Sequence, residues 1–97
     1  MYEVLKQLEP FSLSTHNDAD GIYSAAILSS IFNVKELVFP EFNEYETDVA
    51  LDLGTPNKNV TKVIVDHHPG WENVNTNAKV YHDIVPTGLI LYKYLKE

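Results

Sequence analysis

Ninety-seven residues with 44% hydrophobic content set the size of one domain with a modest core and exclude a disordered chain. The absence of cysteine excludes a disulfide framework, a thiolate metal site and a thiol nucleophile, so any metal must be held by oxygen and nitrogen. A formal charge of −7 argues against a broad electrostatic footprint for nucleic acid.

In chain order, Met1, Val4, Leu5 and Leu8 recur at helical spacing until Pro10, which predicts a short amphipathic helix. Phe11-Ser-Leu-Ser-Thr15 reads as the first core strand. Directly after it stands His16-Asn17-Asp18-Ala19-Asp20-Gly21, a strand-to-helix turn with three potential ligand side chains at alternate positions. If the chain stays extended, those three share one face just past the strand's carboxyl end, where they repel one another unless a cation neutralises them. The alternative is that Asp18 and Asp20 cap the next helix. That helix is predicted over Gly21 to Phe32, with Ile22, Ala25, Ala26, Ile27, Leu28, Ile31 and Phe32 forming a broad apolar face and Asn33 as its stop.

Glu36 to Phe39 is the next short strand, closed by Pro40, and the acidic run Glu41 to Glu46 reads as a solvated loop or helix face. Val49 to Leu53 is a buried strand interrupted by Asp52. A carboxylate there is costly without partners, and strand ends in open α/β sheets are where such groups become functional. The alternative for Asp52 is a cap on the turn at Gly54-Thr55-Pro56. Asn59-Val60-Thr61 matches a glycosylation sequon, idle without a secretion signal. Lys62-Val-Ile-Val-Asp66 is the most convincing central strand. His67 and His68 then point to opposite faces if extension persists, so one of them binds the metal that Asp52 binds and the other supports it or faces phosphate. Trp71 is expected to cover the core edge, and Lys79 to His82 to form the last strand. Thr87 is expected to cap a final helix whose Leu89, Ile90, Leu91, Tyr92 and Leu95 pack inward.

Strands alternating with helical patterns imply an α/β fold: a three-layer, Rossmann-like arrangement with a mostly parallel sheet flanked by helices. The ligand crevice of such sheets lies outside the carboxyl ends of the strands, and His16, Asp18, Asp20, Asp52 and His67 all fall there. No apolar run approaches the roughly 18 residues of a membrane span and no leader pattern opens the chain. A cytoplasmic protein without a membrane partner is expected. Two divalent cations would cancel more than half of the net charge and leave a cleft attractive to phosphate, which favours a small or terminal phosphate over a long duplex.

The ordered set His16-Asn-Asp18-Ala-Asp20-Gly21, the lone Asp52 at a strand end, and Asp66-His67-His68 resembles the first three motifs of the DHH phosphoesterase superfamily. That superfamily includes RecJ-type single-strand exonucleases, oligoribonucleases, cyclic-dinucleotide phosphodiesterases and, more distantly, family II pyrophosphatases and exopolyphosphatases. Thr87-Gly88-Leu-Ile-Leu-Tyr92 resembles the segment that follows the third motif. The resemblance implies two manganese ions, with magnesium as the substitute, bridged by a carboxylate. It implies His16 and Asp18 as ligands of one ion, Asp20 and His67 as ligands of the other, and Asp52 as the bridge. Asp66 would orient the site and His68 would sit near the scissile phosphate. Hard carboxylate oxygens with imidazole suit these ions.

The resemblance also has a departure. Family enzymes carry a fourth motif, another metal-binding Asp well downstream, and usually a C-terminal substrate domain. Residues 1–97 therefore read as a single DHH-like domain that stops before both. Further chain, a second copy of the protein or a partner subunit is expected to complete the site. Two functions follow as expectations: a Mn²⁺-dependent phosphoesterase core acting on a small phosphate substrate or a short single-stranded oligonucleotide, or a non-catalytic module of RecJ descent that binds metal or protein.

Overall fold

The computed structural model describes residues 1–41, 43–58 and 60–95. Phe42, in the acidic run, and Asn59, in the sequon, lie outside the described residues, as do Lys96 and Glu97. In order, the elements are α1 (Tyr2–Leu8), β1 (Phe11–Thr15), α2 (Ala19–Ile31), β2 (Val34–Val38), β3 (Val49–Leu51), β4 (Val63–Asp66), a 3-10 turn (Trp71–Asn73), β5 (Lys79–His82) and α3 (Thr87–Leu95).

The strands form one sheet in the order β2-β1-β3-β4-β5, and every neighbouring pair is parallel. The chain runs outward from β1 to β2, then crosses back to β3 and continues through β4 to β5. Strand order therefore reverses between β1 and β3. In open α/β sheets the crevice at that reversal, outside the carboxyl ends, is where ligands sit.

Alternation along the strands sorts the core into two faces. Phe11, Leu13, Val49, Leu51, Val63 and Val65 point to one side, where Leu5 of α1, Ala25 and Leu28 of α2 and Ile90 and Leu91 of α3 bury against them. Each of these Phe, Leu, Ile and Val side chains contributes about 1.5–3 kcal/mol on burial. The opposite face carries Ala50 and Ile64, covered by Tyr45 and Leu53 with Trp71, Ala78 and Val80 alongside. All three helices thus gather on one face, and the layer across the sheet is built from loops and the 3-10 turn. The connections that supply it, Glu41 to Asp48 and Leu53 to Lys62, are polar and turn-rich with no helical period.

The inward faces of the helices are narrower than their composition predicts. In α2 only Gly21, Ser24, Ala25 and Leu28 are buried, a stripe at helical spacing whose small members let the helix approach the sheet closely. Ile22, Tyr23 and Ile31 are exposed, because apolar residues surround more of this helix than one sheet can cover. Leu89 and Tyr92 of α3 are exposed for the same reason, while Ile90 and Leu91 are buried. Strand β2 begins two residues before its expected start and is an edge strand, with Leu37 and the following Phe39 exposed.

Glu41, Glu44 and Glu46 are exposed as expected of a solvated loop, but Tyr45 between them is fully buried. Its hydroxyl donates to the carbonyl of Gly54 at 2.7 Å. Burial and the charge of Asp66 raise the Tyr45 pKa, which keeps the phenol protonated as a donor. Tyr45→Phe is expected to lower stability by about 1–2 kcal/mol through the stranded Gly54 carbonyl. Urea unfolding checks this, and an unchanged midpoint would show that the bond contributes nothing.

Candidate metal centre

The turn after β1 is held from both sides. Buried Thr15 donates from Oγ1 to the carbonyl of Gly21 at 2.7 Å, and the Gly21 N–H donates to Asp18 Oδ1 at 2.8 Å. Asp18 is the N-cap of α2, with extended φ −136° and ψ 179°. Its other oxygen, Oδ2, lies 2.9 Å from His16 Nδ1. Asp18 therefore caps the helix with one oxygen, as the capping alternative expected, and turns the other toward His16. Desolvation raises the Asp18 pKa, but the Gly21 N–H, His16 and Asp52 together hold it below its ordinary value. Alternation does not persist to Asp20, which already lies in the first helical turn. The expected extended face of three side chains is corrected to a pair, His16 and Asp18, with Asp20 approaching the same group from the first turn of α2.

Asp52 is a strand terminator rather than an interruption, since β3 ends at Leu51 and Asp52 adopts φ 62°. The left-handed region costs most residues about 1–2 kcal/mol, less for Asp and Asn. Its N–H donates to Val65 O at 2.9 Å, which fixes the turn against β4. The side chain is 1% exposed. Oδ2 lies 3.7 Å from His16 Nδ1, while Oδ1 lies 2.9 Å from His67 Nε2 and accepts from Thr87 Oγ1 at 3.3 Å. Burial first, then the charges of Asp20 and Asp18, pushes its pKa up to about 6 against the opposing pull of His67 and His68.

The two histidines do not point to opposite faces. Strand β4 stops at Asp66, and past its end the rings sit together with centroids 4.6 Å apart and planes inclined at 35°. Distance separates their roles. His68 Nδ1 is 2.6 Å from Asp66 Oδ1 and 4.0 Å from Asp52 Oδ1, so it is committed to Asp66. His67 is the imidazole that meets Asp52. Asp66 is fully buried, and its Oδ2 accepts the indole N–H of Trp71 at 2.8 Å. Trp71 does cover the core edge, but its indole N–H carries no periodic signal and its link to the site was not legible from the sequence.

Asp20 closes the arrangement from the helix side. Its Oδ2 accepts the Thr87 N–H at 3.0 Å, its Oδ1 accepts the Gly88 N–H at 3.0 Å, and Oδ2 lies 3.8 Å from His67 Nε2. Asp20 of α2 therefore supplies the cap expected of Thr87, whose own hydroxyl turns inward to Asp52. Thr87 is fully buried and is a site residue that sequence reasoning placed only on a helix end.

Among the described residues two donor groups result, His16 with Asp18 and Asp52, and Asp52 with His67 and His68; within each, one ligand atom per residue lies within 4.8 Å of the others. Asp52 belongs to both and offers a different oxygen to each. The set is all hard oxygen and imidazole nitrogen, which fits Mn²⁺ or Mg²⁺, and the strained protonation of Asp52 is what a cation there would relieve. Among the described residues, no helix is long and apolar enough to cross a membrane. Comparison of the chain with protein-family models, with curated proteins and with solved structures gives no match.

Proposed function

We propose that this chain is the core of a metal-dependent phosphoesterase of the DHH, RecJ-like type, hydrolysing phosphodiester or phosphoanhydride bonds with two Mn²⁺ ions. The observation that carries the reading is Asp52: a buried carboxylate at the reversal of strand order, with Oδ2 toward His16 and Oδ1 toward His67. A pair of divalent ions held there supplies Lewis-acid activation of the phosphate and of the attacking water. The residues around them do the positioning. His16 and Asp18 would hold one ion, His67 with Asp20 the other, and Asp52 both. Asp66 holds the Nδ1 edge of His68, which leaves Nε2 as the basic nitrogen for the scissile phosphate. The reading carries with it a cytoplasmic location and a small phosphate or short single-stranded oligonucleotide as substrate.

A second reading, a metal-binding or protein-binding module without turnover, is favoured by one observation: both oxygens of Asp20 are engaged by α3. An ion that must compete with two N–H donors for a ligand is held weakly.

Calorimetric titration with Mn²⁺ and hydrolysis of a dinucleotide and a short oligonucleotide test the proposal, with His67→Ala as the control against contaminating nuclease. The expected results are saturable Mn²⁺ binding and Mn²⁺-dependent cleavage slower than about 1 per second, at the lower edge of ordinary enzymes, abolished by His67→Ala. Saturable binding without cleavage supports the module. A folded protein that binds no Mn²⁺ at millimolar concentration removes both metal readings.

A further inference from the structure

His68 is held by more than Asp66. Asp66 and His82 face one another across β4 and β5, and both reach the His68 segment. Asp66 Oδ1 lies 2.6 Å from His68 Nδ1, Asp66 Oδ2 accepts the His68 backbone N–H at 3.2 Å, and His82 Nε2 lies 2.8 Å from the His68 carbonyl oxygen. Trp71 contacts both of these supports. Its indole N–H donates to Asp66 Oδ2 at 2.8 Å, and its ring centroid is 6.4 Å from that of His82. Gly70, at φ 103°, turns the chain into the 3-10 segment that brings the indole back over the sheet.

We infer that Trp71 is a positioning residue for His68: its indole N–H fixes the Asp66 carboxylate so that the imidazole keeps its proton on Nδ1 and presents Nε2 as its basic nitrogen. The two neutral tautomers of imidazole are close enough in energy that one charge-assisted hydrogen bond decides between them. That bond selects a tautomer only while the carboxylate keeps its orientation. A buried carboxylate has about four acceptor sites, and the plane of Asp66 is set by the donors that reach it; among the described residues these are the His68 backbone N–H, the His68 ring and the Trp71 indole, the last of which belongs to neither Asp66 nor His68. Trp71 also packs on the cluster of Tyr45, Ala50 and Ile64, a role that a phenyl ring would fill as well. The N–H is the part that only positioning requires.

The consequence for hydrolysis rests on the phosphoesterase reading, whereas the tautomer itself does not. The test therefore uses the ¹⁵N-labelled full chain without metal, at about pH 8.5 where ordinary imidazoles are neutral, and reads the His68 ring nitrogens by correlation with the ring carbon protons. Wild type is expected to show the Nδ1–H form, and Trp71→Phe a shift toward Nε2–H. Loss of such a supporting contact is also expected to weaken activity or Mn²⁺ affinity by about 10–100-fold. A folded Trp71→Phe protein that retains the wild-type tautomer overturns the inference. If the variant does not fold, the wild-type indole decides. As the single tryptophan it gives one N–H resonance, expected downfield and slow to exchange, and exchange as fast as that of an exposed indole overturns the inference. A chain that binds no Mn²⁺ would remove the phosphoesterase reading and leave the tautomer result standing.

Discussion

Asp52→Asn is expected to abolish saturable Mn²⁺ binding and, in the same protein, to raise the stability of the metal-free fold at neutral pH. The substitution is close to isosteric, and asparagine tolerates the left-handed φ of 62° as well as aspartate does. Its carbonyl oxygen can still accept from Thr87 Oγ1. What it removes is a buried charge beside Asp18 and Asp20. The carboxylate pKa rises from 3.8 to about 6 on folding, a cost of roughly 3 kcal/mol to the ionised state at 1.36 kcal/mol per pH unit.

The sign of the pH dependence follows. Between about pH 4 and 6 the folded protein retains a proton that the unfolded chain has released, so the Asp52 contribution to stability falls as pH rises through that window and stays low above it. The Asn variant lacks this decline. The difference in unfolding free energy between variant and wild type should be near zero at about pH 4 and grow to about 2–3 kcal/mol at pH 7.5. Asp18, whose lowered pKa adds stability that is lost as pH falls, has the opposite dependence; the part due to the Gly21 N–H and His16 is common to both proteins and cancels in the difference, while the part due to Asp52 does not. Mn²⁺ should cancel the difference at about 100 times its dissociation constant, where it stabilises wild type by about 2.7 kcal/mol and the variant not at all, and reverse the ranking at about 1,000 times, where it contributes about 4.1 kcal/mol. Thermal unfolding with and without Mn²⁺ at several pH values measures all of this. A variant less stable than wild type at pH 7.5 without metal would mean that Asp52 serves as a structural cap.

The convergence of His16, Asp18, Asp52 and His67 was legible because a parallel sheet sends every strand's carboxyl end to one edge. Four residues placed at strand ends by local pattern must then meet. Phe11–Thr15 and Lys79–His82 were legible to the residue, the first being an apolar run bounded by Pro10 and a polar turn. The orientation of single side chains was not. The rings of His67 and His68 sit together, one at Asp52 and the other at Asp66, because both residues lie beyond the end of β4, and element ends are where periodicity carries least information. Asp20 caps α3 across 67 positions of sequence, and Trp71 reaches Asp66 through one N–H. Hydrogen bonds of this kind leave no spacing to read. For α2 the pattern supplied the helix but not the stripe that faces the sheet, because an all-round apolar helix has no preferred side.

Gly21→Ala is expected to cost the fold at least about 3 kcal/mol, the scale of a buried clash that nearby atoms cannot relieve, and to lower the melting temperature by roughly 12–24 °C for a domain of this size. On helix propensity alone the change should help by about 1 kcal/mol, since alanine is the better helix former. Space decides otherwise. A Cβ on Gly21 would stand 2.0 Å from the carbonyl oxygen of His16 and 2.8 Å from its carbon, and both are backbone atoms. The turn cannot open to make room without breaking the Thr15 bond to the Gly21 carbonyl or the Gly21 bond to Asp18, so His16 would leave Asp18 and Asp52 as well. Gly88→Ala is the control. There the Cβ would meet the Tyr23 ring at 2.9 Å, but that ring is 63% exposed and can swing away, so the change should fall within about 1 kcal/mol of neutral. Thermal unfolding of the two variants side by side separates a close backbone approach from a general penalty on helix starts. Equal melting temperatures for Gly21→Ala and wild type would mean that His16 is free to move, and that the turn holding it is looser than its hydrogen bonds require.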